Sequence, residues 1–391
     1  MNTPAHLEKI TRNLCEAAHQ GSLNQSVLLT GREGIGQFSI LMDLATTLLC
    51  ENDKTACGVC SSCKEVEHLV HPDFLLLFPF PNLKPESKKL TVFSFSDPVS
   101  SSARFSEDTK DAVESFKKSL MEDSFALPNF EKKENIPVEV VKDLIHALAK
   151  RPMRGGRRVV AILDIDKMAH GAADLFLKTV EEPPHNTHLI LTTSRPDLLY
   201  QTLLSRTQRI KIPPVPVEQT ESILKERLEI DGKLAKYLAR ISGGSPGIGV
   251  RYHESDIISR RERLLKIFTD LIGGVDTGQL IIDIGTLYSG GRGRFDDMKI
   301  DFDIIETIIH DLYLIGENSL DNHLINIDIG KLLRSLTPPV REALDIWRSC
   351  LTETRRACTV NNVAADTGMT FFFISCAEAS QNLARPKYTL P

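Results

Sequence analysis

Ser26-Val27-Leu28-Leu29-Thr30 followed by Gly31-Arg32-Glu33-Gly34-Ile35-Gly36 and then Gln37-Phe38 is the stretch on which the fold turns. The first five residues form a short apolar run closed by glycine, which reads as a buried strand. From Phe38 to Cys50, apolar residues recur at Ile40, Leu41, Leu44, Ala45, Leu48 and Leu49, which is helical spacing. Strand, glycine loop and helix in that order form the context in which a glycine-rich loop cradles phosphate.

Working outward, Phe74 to Phe78, Arg158 to Leu163, His188 to Thr193 and Gln208 to Ile212 repeat the strand pattern. Helical segments at Val138 to Lys150 and Ala172 to Glu182 lie between them, the second stopped by Pro183-Pro184 because proline lacks the amide a continuing helix needs. Alternating strands and helices predict an α/β domain with a largely parallel sheet covered on both faces. Residues 79–137 are rich in Lys, Ser, Pro and Phe and read as a surface insertion carrying one helix near Lys110 to Met121. Pro213-Pro214-Val215-Pro216 reads as a hinge. Beyond it come helices at Glu218 to Leu228 and Leu234 to Ile241, the loop from Ser242 to Gly247, and mostly amphipathic helix to about Ala379. The polar end from Asn382 to Pro391 reads as a tail or a shortened helix start.

The 391 residues suffice for two or three domains, and 41% hydrophobic with 25% charged residues is an ordinary globular composition. A formal charge of -5 supplies no bulk attraction to nucleic acid. Arg151, Arg154, Arg157 and Arg158 make a local basic cluster that reads either as a DNA-facing patch or as a solvated loop. No signal peptide or membrane span is expected, which predicts a cytoplasmic protein with no membrane partner.

Four of the eight cysteines crowd into Cys50-x6-Cys57-x2-Cys60-x2-Cys63. Short Cys-x2-Cys steps bring sulfurs onto one ion, and four thiolates leave no position for a catalytic water, so a structural zinc is expected. Free or redox-active thiols and an iron-sulfur cluster are the other readings. His68 and His71, just beyond, read as surface or packing residues.

The glycine loop departs from a working phosphate loop, which carries Lys and then Ser or Thr after its last glycine. Gln37 brings no charge and Phe38 cannot hold magnesium. The Gly31, Gly34 and Gly36 turn with Gln37 and Phe38 is therefore expected neither to bind ATP well nor to hydrolyse it. Leu163 stands where the strand end would present a metal-binding Asp, leaving Asp164 and Asp166 as caps or interface residues.

These segments, together with Leu175-Phe176-Leu177-Lys178-Thr179-Val180-Glu181-Glu182-Pro183-Pro184, Leu191-Thr192-Thr193-Ser194-Arg195-Pro196 and Leu203-Leu204-Ser205-Arg206-Thr207, resemble the delta-prime family of the bacterial DNA polymerase III clamp loader. The resemblance covers about residues 1–255 apart from the insertion. It implies an AAA+ module (1–212, with the cysteine module at 50–63), a small helical lid (213–255) and an all-helical collar (256–391) that joins a five-subunit ring with gamma/tau-like and delta-like subunits. It also implies that the ring acts on a sliding clamp and primer-template DNA. Arg206 matches the arginine that such a subunit offers to ATP in its neighbour, although Thr207 replaces the family's cysteine. Thr192 or Thr193 falls near a first sensor position, Gly243 to Gly247 near a second, and all read as structural here. A gamma/tau-like ATPase would need Lys at Gln37 and Ser or Thr at Phe38. A zinc-containing AAA+-like scaffold outside replication is the remaining alternative.

Overall fold

The computed structural model describes residues 3–52, 56–81, 107–128, 134–154, 156–274, 277–288, 295–317, 323–336, 338–359, 361 and 363–382. Most of the 79–137 insertion before residue 107, and the end from 383 to 391, lie outside the described residues. The chain divides into two compact units, Met1–Val215 with Ser245–Ile248, and Pro216–Gly244 with Gly249–Pro391.

In the first unit a five-stranded parallel sheet is built from β1 (Ser26–Thr30), β2 (Phe74–Leu77), β3 (Arg158–Ile162), β4 (Thr187–Thr193) and β5 (Gln208–Lys211). Their spatial order is β2-β3-β4-β1-β5. β1, β2 and β3 are buried almost throughout, as parallel strands covered on both faces should be, whereas the edge strand β5 alternates between half-buried and exposed. The register pairs Thr30 with both Thr193 and Lys211, so β1, β4 and β5 end level with one another. Connections leaving those carboxyl ends form the crevice in which open α/β sheets bind ligands.

Helices cover the sheet. α1 (Glu8–His19) buries Thr11, Leu14, Cys15 and Ala18, a single stripe, while α2 (Gln37–Leu49) is buried on nearly all sides. α3 (Ser61–Glu67) follows within the cysteine cluster, α4 (Glu107–Glu122) belongs to the insertion, and α5 (Val138–Leu148), α6 (His170–Glu181) and α7 (Gln201–Arg206) complete the unit. The sheet, its glycine loop and these helices make the AAA+-type α/β module.

The second unit is helical: α8 (Val217–Leu228), α9 (Gly232–Ile241), most of α10 (Pro246–Glu254), α11 (Ile257–Ile272), α12 (Thr277–Tyr288), α13 (Phe295–Gly316), α14 (Gly330–Ser335), α15 (Arg341–Thr359) and α16 (Ala365–Asn382). Asp231 caps α9 by accepting from the Lys233 and Leu234 amides at 2.7 and 3.1 Å. Phe268, Trp347, Phe372 and Phe373 form an aromatic core with successive ring centroids 4.9 to 5.5 Å apart. Buried Arg261 lies over the Tyr237 ring and pairs with Asp328, and Asp311 accepts the Ile325 and Asn326 amides, so these two buried charges are each held by partners.

Candidate functional site

The glycine loop leaves β1 and enters α2 with Gly34 at φ +68° and Gly36 at φ +94°, conformations that glycine adopts without the usual steric cost. The Gly31 amide donates to the Thr193 carbonyl at 3.1 Å, anchoring the loop to β4. Gln37 turns its side-chain amide back on the loop, donating to the Gly31 carbonyl at 3.1 Å. Phe38 is buried in the core. The two residues that replace lysine and a hydroxyl are thus part of the loop's own scaffold and present neither a cation nor a magnesium ligand. On its far side the loop is stitched to the turn at Ser245: Ser245 Oγ donates to the Glu33 carbonyl at 2.6 Å and the Gly247 amide to the Gly34 carbonyl at 3.0 Å.

Asp164, just after β3, faces the same cleft, which is lined by Glu33, Gly34, Gly36, Leu163 and Thr192 among others. Asp164 sits in the left-handed region at φ +48°, and its amide donates to Thr192 Oγ1 at 3.1 Å. Thr193 Oγ1 donates to Asp166 at 2.5 Å and accepts from the Arg195 amide at 3.0 Å. Both threonines therefore brace the loops at the sheet end. The cation in this station is a side chain, Lys167, whose Nζ lies 3.1 Å from Asp164 and 3.2 Å from Glu134. Burial pushes the Asp164 carboxyl up to about 6, with Lys167 opposing the shift. Burial also disfavours the Lys167 charge, yet Asp164, Glu33 and Glu134 together hold its pKa above the ordinary lysine value.

Cys50 at the end of α2, Cys57 and Cys60 on a knuckle turned by Gly58 at φ +70°, and Cys63 in the first turn of α3 bring four sulfurs within 4.8 Å of one another. Cys57 and Cys63 Sγ are 3.8 Å apart. Tetrahedral coordination with metal–sulfur bonds of about 2.3 Å places sulfurs roughly 3.8 Å apart, so the donor set fits one metal ion. The Val59 and Cys60 amides hold the Cys57 thiol below the usual thiol range, whereas burial raises Cys63. Arg154 clamps the module, donating to Glu51 at 3.1 Å and to both Glu65 oxygens at 2.7 Å. His71 is buried, facing Ser62 Oγ at 3.1 Å and accepting the Asp73 amide, and His68 lies exposed beside the Lys64 carbonyl.

The basic cluster does not form one surface patch. Arg158 is 5% exposed and donates to the Ala147, Lys150 and Arg151 carbonyls at 2.9 to 3.0 Å, completing the end of α5, with Asp73 at 3.6 Å. A strand that is buried along its whole length draws its first residue inside, which the run of arginines conceals. Arg154 is occupied by the cysteine module.

Arg206 ends α7 outside the cleft, with its side chain 40% exposed. Its Nε meets the Glu181 carboxylate at 2.8 Å and Nη1 donates to the Thr202 carbonyl at 3.0 Å. Sequence reasoning brought the glycine loop to the strand ends and the four cysteines to one point. It missed Lys167, whose signal was its position three residues after Asp164, and the anchor of Arg206, Glu181, inside a run quoted only as a motif.

The family model described as DNA polymerase III, delta subunit, matches residues 6–216. The Escherichia coli DNA polymerase III subunit delta′ is 24% identical over 246 residues, covering 62% of this chain and 59% of that protein. The Pseudomonas aeruginosa delta′ subunit is 26% identical over 249 residues, 61% of each chain. The Escherichia coli subunit tau is 26% identical over 245 residues, 61% of this chain but 30% of that protein. The chain thus matches about three fifths of the length of its curated delta′ relatives. Since the matched residues run through the glycine loop, the cysteine module, the Glu181-Glu182-Pro183-Pro184 run and Arg206, the chain belongs to the DNA polymerase III delta-prime family of clamp-loader subunits.

Proposed function

We propose that this chain is a non-hydrolysing, delta-prime-like subunit of a bacterial replicative clamp loader, which supplies Arg206 to ATP bound in a neighbouring gamma/tau-like subunit. The observation that carries this reading is the fate of Gln37 and Phe38: one is bonded to its own loop and the other is buried, so nothing there meets an outer phosphate or magnesium. The chain's own contribution to phosphoryl transfer is then a cation directed outward. Arg206 stands at an exposed helix end on a short, sheet-anchored helix, and its guanidinium would exchange Glu181 for the phosphoryl oxygens on assembly. A planar, permanently charged fork stabilises charge developing on those oxygens without any proton transfer.

In this reading residues 1–212 form the module, 213–255 the lid and 256–391 the collar, and the partners are gamma/tau-like and delta-like subunits in a five-subunit ring that loads a sliding clamp on primed DNA. Cys50, Cys57, Cys60 and Cys63 would hold a structural zinc, whose chemistry is to cross-link the end of α2 to α3 with no open coordination position. Tau is also among the relatives, but a tau-like ATPase role needs the lysine and hydroxyl that Gln37 and Phe38 replace.

The test is reconstitution with gamma/tau-like and delta-like subunits, measuring ATP turnover stimulated by clamp and primed DNA with the native chain and with Arg206→Ala. Loss of stimulated turnover with intact assembly supports the reading. Unchanged turnover, or brisk ATP hydrolysis by the purified chain alone, refutes it.

A further inference from the structure

The described part of the insertion does not stand apart on the surface. α4 is pinned to the module by Val113 and Leu120, both buried, and by Phe116, whose ring meets Phe78 edge-on with centroids 5.2 Å apart. The turn after α4 is tightly formed: the Asp123 side chain accepts the Phe125 amide at 2.9 Å and its carbonyl accepts the Ala126 amide at 3.1 Å. Phe116, Leu120, Ser124 and residues 126–128 line the same cleft as the glycine loop and Asp164.

Phe125, between these lining residues, is only 9% exposed. Its ring edge would lie 3.6 Å from a Cβ on Gly36, and its carbonyl oxygen 2.2 Å from a Cβ on Gly247, so it is wedged where two glycines leave room. On another side it stacks on His6, with ring centroids 6.4 Å apart and planes 15° from parallel. His6 in turn contacts the Ile35 carbonyl at 3.1 Å. One aromatic residue from the insertion thus touches the amino-terminal turn, the glycine loop and the 245–248 turn together.

We propose that the insertion is a built-in occupant of the vacated cleft, with Phe125 as its key residue holding the glycine loop and the 245–248 turn closed where a bound ligand would otherwise hold them. The physical need is clear. A loop with two left-handed glycines loses much conformational freedom on ordering, and without a lysine it has no phosphate-directed charge to offset that loss. Apolar burial by Phe125 supplies a ligand-independent substitute, and it also obstructs the space a nucleotide would take. The idea rests on the reading that this loop does not work on nucleotide, and it goes beyond that reading by naming what fills the cleft.

Amide hydrogen exchange on the full chain tests it, comparing the native protein with Phe125→Ala and Phe125→Leu. The alanine variant should speed exchange in residues 31–39 and 245–248 by about tenfold or more, as local opening becomes easier. The leucine variant should change it far less, and α15, in the other unit, should be unaffected. Loop exchange in Phe125→Ala equal to native overturns the proposal. A second arm titrates ADP into Gln37→Lys, which restores the missing cation, with and without Phe125→Ala. The double variant should bind about tenfold tighter or more, since a competing occupant has been removed; tighter or equal binding by Gln37→Lys with Phe125 intact overturns the proposal. Neither readout involves Arg206 or a partner subunit, so failure here and failure of the interface reading are told apart.

Discussion

Arg206 and Glu181 tie the ends of two helices together: Arg206 Nε, on the last residue of α7, lies 2.8 Å from the carboxylate of Glu181, the last residue of α6. Both side chains are well exposed, so the pair contributes less than about 1 kcal/mol to stability, and Glu181→Gln should leave the melting temperature nearly unchanged. Arg206→Ala should likewise leave the isolated chain folded, while turnover at the neighbouring ATP site proposed for it should fall in a reconstituted ring by roughly 10³-fold or more, the scale of an arginine finger. Thermal melting of the isolated variants checks the first two expectations, and single-turnover ATPase measurements on the assembled ring check the third.

Removing the zinc proposed for the cysteine module should unfold that module and leave the second unit intact. Protein purified without chelator should carry one zinc per chain by elemental analysis, and Cys60→Ser should lower that occupancy because one of four thiolates is gone. The chain's one tryptophan, Trp347, is buried with its Nε1 donating to the Cys376 carbonyl at 3.0 Å, so its fluorescence reports the second unit. Chelation should change protease sensitivity around residues 50–63 while the tryptophan emission stays as in native protein.

Asp164 gives a pH dependence with a definite sign. Its carboxyl is raised to about 6 in the folded chain, chiefly by burial, so the protonated form favours folding. This contribution is fully present below the unfolded value near 4 and is lost as pH rises through about 6. Asp164→Asn, which keeps an acceptor for Lys167, should therefore stabilise the protein by about 1 to 3 kcal/mol at pH 7, with the advantage vanishing below about pH 4. Urea unfolding of both proteins across that range, followed by far-ultraviolet circular dichroism, measures it.

Arg158→Leu should be among the most damaging single changes in the first unit. It removes a charged donor from three carbonyls and leaves the almost fully buried Asp73 carboxylate without its nearby guanidinium. A cost of about 3 to 5 kcal/mol is expected from breaking one side of a buried charged arrangement. Arg157→Leu, at a neighbouring exposed position, should cost far less, and comparing the two urea midpoints separates buried from surface arginine.

The sheet was legible because parallel strands covered on both faces must be apolar along their length, as Val27 to Leu29, Phe74 to Leu77 and Val159 to Ile162 are. α1, α3 and α7 were not foreseen. α1 buries a stripe that includes only one large aliphatic residue, Leu14, and α3 and α7 have too few turns to show a period. No helix among the described residues is long and apolar enough to cross a membrane.

Read alone, the chain of residues determined the chemistry that each position has on offer: glutamine and phenylalanine in place of lysine and a hydroxyl, four thiols at converging spacing, an arginine after Ser205. These are local facts of side-chain identity and short separation, and folding does not alter them. Only the tertiary structure decided that Phe125 packs against the glycine loop, that Lys167 pairs with Asp164 and Glu134, and that Arg158 is buried while Arg206 is exposed. Those outcomes depend on contacts, burial and competing partners, several brought together from distant parts of the chain, and no local pattern encodes which of several like residues will be enclosed.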